Sequence, residues 1–170
     1  MTDETATLAE SHTEMTEIVL PNDTNTHRRA LGGAVLHWMD ICGAIAAMRF
    51  ANESVVIASM EHVDFKRPID LGEVVVIEAY VYETGRTSLD VTVEVRAENP
   101  RTDTERATTS SFFTFVAVDD DGKPTPVGPL MTLTVPRSMP PLSRSSTSGT
   151  PEEIGSAVNV PWCSLGTSAG

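Results

Sequence analysis

Apolar residues recur with two different periods along this chain, and the switch between them separates one helix from a set of strands. After Leu31 they come at helical spacing, with Val35, Leu36, Met39, Ile41, Ala44, Ile45, Ala47 and Met48, which predicts a helix from about Gly33 to Phe50. Before it, residues 15–20 form a short β-prone run closed by Pro21. Beyond it only strands are predicted. SVVIASMEHVDF (residues 54–65) begins apolar, then alternates, and is stopped by Pro68. EVVVIEAYVYET (73–84) and TSLDVTVEVRAE (87–98) alternate with period two and are joined through Gly85-Arg86 as a tight hairpin. TTSSFFTFVAV (108–118) makes the last strand, and DDDGK turns the chain away. One long helix with four or five mostly consecutive strands packs most economically as an α+β domain, an antiparallel sheet wrapped around that helix.

The two ends differ in composition. Of the 35 residues from Pro136 to Gly170, 20 are Ser, Thr, Gly or Pro, so residues 136–170 are expected to be a disordered tail, as are the acidic residues 1–14. Ile154, Val158, Val160 and Trp162 leave open that the tail docks on a neighbour. Residues 15–135 are then a single domain, in keeping with a chain of 170 residues.

Charge removes several classes of partner. Acidic residues number 24 against 12 basic, a net charge of -12, and Lys66 and Lys123 are the only lysines. Such a surface repels nucleic acid and anionic membranes. Excess carboxylate with little lysine also suits a protein kept soluble in concentrated salt, so a halophilic source is expected. Cys42 and Cys163 show neither pairing nor metal spacing, and a reducing, cytoplasmic location fits. No helical His pair supports a metal site. The N-terminus has acids where a signal peptide needs basic residues. The stretch from Gly32 to Ala51 is apolar enough to suggest a membrane span, but it contains His37, Asp40 and Arg49, and an Asp at mid-bilayer costs about 3 kcal/mol. It reads as a helix outside any membrane.

Within the segment PNDTNTHRRALGGAVLHWMD, an Asn, a Gly pair and an Asp follow one another along a loop that becomes a helix. Asp40 stands among apolar residues, where its charged form is disfavoured, so it needs a partner, a raised pKa or a function. As a function, such a group could take a proton as a general base. An ordinary solvent-facing helix carboxylate is the alternative. Small residues at Gly43, Ala44 and Ala47 point to close contact of this face with another backbone. Gly32 and Gly33 open the helix, where unpaired N–H groups and the helix dipole suit an oxyanion, or where glycine is a simple hinge. Asn25 alone reads as a turn or cap residue.

These segments, together with VVIASMEHVDFKRPIDLGEVV, GRTSLDVTVEV and FVAVDDDGKP, resemble the acyl-CoA thioesterases of the hotdog fold from about Met15 to Pro129. The resemblance implies a five-stranded antiparallel sheet curled around a central helix and dimers joined through their sheets, often assembled into hexamers. It also implies hydrolysis of fatty acyl-CoA at the dimer interface, with CoA as part of the substrate and no cofactor. Carried over, Asn25 of one chain orients the water or carbonyl, Asp40 of the other activates the water, and Gly33 helps hold the oxyanion. Gly32, Ser59, Phe65, Gly85, Arg86, Thr87 and Ser88 then border the substrate, Arg86 as a local cation for a CoA phosphate. A hairpin turn and core packing remain the other readings of these last positions. Arg28, Leu31, Ile57 and Glu61 depart from the family pattern around the loop and the second strand, and bear on acyl-length preference and CoA placement. Two other classes share the fold: a non-catalytic acyl-CoA-binding module, which the retained Asn25 and Asp40 disfavour, and a dehydratase, for which only His27 offers a match.

Overall fold

The computed structural model describes residues 11–128. Its elements run β1 (Thr13–Ile18), a 3-10 turn (Pro21–Asp23), α1 (Gly32–Ala51), β2 (Ser54–Phe65), β3 (Val74–Thr84), β4 (Ser88–Asn99) and β5 (Thr104–Val118). The strands form one sheet in the order β1-β3-β4-β5-β2, every neighbouring pair antiparallel. β1 and β2 are therefore the two edges, and α1, which connects them, carries the chain from one side of the sheet to the other. This is the α+β arrangement of an antiparallel sheet around one helix expected from the residues, and the five-stranded hotdog fold that the resemblance implies. β1 starts at Thr13, with Ser11 already buried, so the domain begins a little earlier than residue 15. The expected tails over 1–10 and 136–170 lie outside the described residues.

Alternation decides which face of each strand meets the helix. On β3 Val75, Ile77, Ala79 and Val81, on β4 Leu89, Val91, Val93, Val95 and Ala97, and on β5 Phe113, Phe115 and Ala117 all enter one core. From α1 they receive Val35, Trp38, Met39, Cys42, Ala46 and Ala47, a stripe at i, i+3, i+4, i+7 spacing. By length and composition alone this helix could cross a membrane. Here it is the core helix of the domain. Asn52, in the left-handed conformation at φ 53°, ends it, with its N–H on Met48 O.

Gly43 lies where helix and sheet come closest. A Cβ there would stand 3.2 Å from the Phe115 ring and 3.3 Å from Val93 Cγ2. The small residues noted on this face therefore serve, at Gly43 and the buried Ala47, approach to the chain's own sheet rather than to a second protomer. Gly43→Val should lower stability by about 1–3 kcal/mol through overpacking. Thermal unfolding measures this, and an unchanged midpoint would mean that the Phe115 ring can move aside.

Register shifts explain where strand limits differ from the pattern. β5 starts at Thr104 rather than Thr108 because its first residues are polar and pair with β4 at the exposed end of the sheet. The shift between Val95 and Arg96 of β4 breaks the alternation next to Thr108. β2 carries two irregularities, between Ile57 and Ser59 and between Glu61 and Asp64, the second including His62 at φ 46°. The β3–β4 connection spans three residues, Gly85 to Thr87, closed by Gly85 N–H on Ser88 O at 2.9 Å.

Candidate active site

Ahead of α1 the chain closes a small loop around Asn25. Its N–H donates to Arg29 O at 2.8 Å, and Arg28 N–H donates to Asn25 O at 2.9 Å. The side-chain Oδ1 accepts the N–H groups of His27 at 2.9 Å and Arg29 at 3.2 Å. Two donors at one position require the oxygen there, so the amide Nδ2, a pure donor, is the end left for a ligand. The structure thus shows the turn reading of Asn25, through Oδ1, while the residue itself stays exposed. The loop keeps Arg28 at φ 59°, a left-handed conformation that a non-glycine residue adopts at a cost of about 1 kcal/mol.

The loop rests on a second turn. Ala30 N–H donates to Ile69 O at 2.8 Å and Leu71 N–H to Arg28 O at 2.9 Å. An exposed Arg29–Asp70 ion pair adds little to this. Behind the turn, Glu73 is held in a two-pronged pair with Arg106, at 2.8 Å from Oε1 to Nη1 and 2.6 Å from Oε2 to Nη2. The Arg106 hydrogen bond, stronger than the opposing effect of burial, holds the Glu73 carboxyl below its ordinary range.

Leu31 N–H is used on Asp23 O, while the Ala34 and Val35 N–H groups both return to Leu31 O. The N–H groups of Gly32 and Gly33 have no acceptor among the described residues, and both glycines are exposed. No side chain caps this end. Two adjacent free donors at the positive end of a 20-residue helix form a place for negative charge. Phe65, the last residue of β2, lays its ring over Gly32, 3.3 Å from where a Cβ would stand, and is itself half exposed. A side chain at 32 would therefore displace the ring, whereas a Cβ at Gly33 would meet nothing within 4 Å.

Asp40 lies where the buried stripe of α1 gives way to its exposed side. Burial raises its pKa above the ordinary value, and His37 one turn earlier partly offsets this. His37 is thus a neighbour of the site that the sequence reading did not single out, although i, i+3 spacing carries the signal. Eight residues of helical rise place Asp40 about 12 Å along the axis from Gly32. Within one protomer the structure gathers Asn25, Gly32, Gly33 and Phe65 at the start of the helix, with Asp40 well up its length.

The other candidate positions fall elsewhere. Ser59 pairs with Thr114, whose hydroxyl bonds Asp90 on the face of the sheet away from α1, so within one protomer Ser59 and Phe65 lie on opposite faces. Gly85, Arg86, Thr87 and Ser88 form the β3–β4 hairpin, anchored by Val127 N–H on Arg86 O and Ala117 N–H on Thr87 O. A Cβ at Gly85 would collide with the Ser88 hydroxyl. Arg86 is exposed and has no ion-pair partner among the described residues.

Comparison with known proteins places these features in context. A family model described as the thioesterase superfamily matches residues 29–104. The chain is 40% identical over 126 residues to the uncharacterised acyl-CoA thioester hydrolase YkhA of Bacillus subtilis, covering 74% of this chain and 73% of that protein. It is 38% identical over 114 residues to the acyl-CoA thioester hydrolase YciA of Salmonella typhimurium, covering 65% of this chain and 85% of the relative. Among solved structures, a hexameric acyl-CoA thioesterase without ligand superposes with a TM-score of 0.74 at 42% identity, over 76% of this chain and 83% of the other. An acyl-CoA hydrolase of Staphylococcus aureus, solved with butyryl coenzyme A, coenzyme A and coenzyme A disulfide, gives a TM-score of 0.72 at 34% identity, over 77% and 79% of the two chains.

Proposed function

The chain belongs to the acyl-CoA thioester hydrolases of the thioesterase superfamily, and we propose that it hydrolyses fatty acyl-CoA by general-base activation of water at a site shared by two protomers. The observation that carries this reading is the separation within one chain. The oxyanion donors of Gly32 and Gly33 open α1 and the Asn25 loop precedes it, while Asp40, the carboxylate able to act as base, stands about 12 Å of helical rise beyond Gly32. A second copy supplies the missing half.

The reaction then runs as follows. The thioester carbonyl oxygen accepts the free N–H of Gly33, with Gly32 beside it, and Asn25 Nδ2 donates to the carbonyl or to the incoming water. Asp40 of the other protomer takes a proton as the water oxygen bonds the carbonyl carbon. Negative charge on the tetrahedral oxygen falls at the positive end of α1, where losing one such donor typically costs about 3 kcal/mol of barrier. When the intermediate collapses, the C–S bond breaks, the fatty acid remains, and the CoA sulfur leaves with the proton that Asp40 returns. No cofactor enters this scheme.

Exposed apolar surface supports a homo-oligomer. α1 is apolar on nearly every side, yet Ile41 and Met48 are exposed on it, as are Met60 and Phe65 on the edge strand β2. A bare edge of 12 residues invites pairing with a second copy. A solved relative is hexameric, and in our reading a hexamer of this chain would hold three such dimers.

Thiol release from a series running from butyryl-CoA to palmitoyl-CoA tests the activity. Release by the wild type that is indistinguishable from that of Asp40→Asn would overturn the reading. Arg86→Ala tests the nucleotide end of the substrate. If this free cation meets a CoA phosphate, KM rises about tenfold at low ionic strength, and less as salt increases, with kcat unchanged. A KM that stays constant would release Arg86 from this role.

A further inference from the structure

We propose that Glu73 and Arg106 are positioning residues for Asn25, acting through the Pro68–Gly72 turn; this rests on the role given to Asn25 above. The pair is unusual in kind. Glu73 is 6% exposed, and a buried ion pair rarely gives more stability than apolar side chains of the same volume. What it does here is grip backbone. Arg106 Nη2 also donates to Pro68 O at 2.8 Å, and Glu73 Oε2 also accepts Asp70 N–H at 2.8 Å. Together with Gly72 N–H on Val19 O at 2.9 Å and Glu73 N–H on Asp70 O at 3.2 Å, these bonds fix both ends of the turn.

The turn in turn fixes the Asn25 loop. Ile69 O accepts Ala30 N–H and Leu71 N–H donates to Arg28 O, the only backbone bonds between the turn and the loop among the described residues. Arg28 needs that support, because its left-handed backbone persists only where surrounding contacts over-determine it. With the turn slack, Arg28 relaxes toward negative φ, the N–H groups of His27 and Arg29 leave Asn25 Oδ1, and Nδ2 loses its aim. A misplacement of about 1 Å at a reacting group lowers rates by up to a hundredfold. Arginine suits this task better than lysine, since its planar fork holds two carboxylate oxygens and a carbonyl in one geometry.

The test is a double-mutant cycle on thiol release over acyl-CoA concentrations up to saturation, using Arg106→Gln, Arg106→Lys, Asn25→Ala and the combinations. Expected are a fall in kcat of about tenfold or more for Arg106→Gln with KM within about twofold, and an intermediate loss for Arg106→Lys. In the Asn25→Ala background neither change at 106 should cost more, because there is nothing left to aim. If Arg106→Gln does not fold, the cycle is carried by Arg106→Lys, which keeps the charge. Losses that multiply with Asn25→Ala, or full turnover in both Arg106 variants beside an impaired Asn25→Ala, overturn this inference alone. Full turnover in Asn25→Ala overturns the site reading and this inference together.

Discussion

Replacing Asp40 by Asn is expected to lower turnover by about three orders of magnitude, the range of a lost general base, while leaving the folded protein as stable as before or slightly more so at neutral pH. The two halves of that expectation come from one cause. Burial raises the Asp40 pKa, so the folded chain binds this proton more tightly than the unfolded chain does. Where a folded carboxyl has the higher pKa, the folded state is favoured while the group is protonated, and that advantage fades as pH rises through the interval between unfolded and folded values. At neutral pH the ionised carboxylate is a cost to the fold, and the neutral amide of Asn removes it. The same shift places the acid limb of kcat/KM above the ordinary Asp value, with activity rising as Asp40 ionises. Thiol release and thermal unfolding, each followed across the acidic range, check both parts. A large loss of stability in Asp40→Asn would make this carboxylate a structural one.

Much of the fold was legible because the core depends on periodicity. β2, β3 and β4 and α1 follow patterns of two and of 3.6 with few interruptions, and their limits come out within a residue. β5 was shortened at its start because its first residues, Thr104 to Ala107, have no apolar face to show. They are held by pairing with β4, and backbone pairing leaves no trace in hydropathy. Ser59 and Phe65, six residues apart on one strand, would share a face under strict alternation, but the irregularity between Glu61 and Asp64 puts them on opposite faces. Alternation cannot announce a bulge.

The local half of the site was legible for a different reason. Gly32, Gly33 and Asn25 lie within ten residues of one another, so the chemistry of a helix start and of a side-chain-capped turn can be read without knowing what packs on them. The Glu73–Arg106 pair could not be found in this way. It joins residues 33 positions apart, and each alone looks like an ordinary surface charge. Nor could sequence spacing show that Arg28 would hold a positive φ, since the bonds that impose it arrive from Leu71 and Asn25. Long-range polar contacts belong to the fold as a whole.

Mixing two inactive variants should restore activity, and the amount recovered distinguishes a shared site from a self-contained one. Take Asn25→Ala and Asp40→Asn, each pure and each nearly inactive. After subunit exchange in equal amounts, half of the dimers contain one chain of each kind, with two sites apiece. If Asn25 and Asp40 meet across the interface, one of those sites combines both substitutions and the other combines none. About a quarter of all sites are then intact, and turnover recovers to about a quarter of wild type. If both residues act within one chain, every site in the mixed dimer carries one substitution, and nothing returns. The free Gly32 and Gly33 N–H groups sit on the same protomer as Asn25, so the restored site also has its oxyanion donors intact. Exchange is verified independently by a mass or affinity label on one variant. Mixed dimers that form and stay inactive would exclude the shared arrangement, and with it the need for a second copy to complete the chemistry.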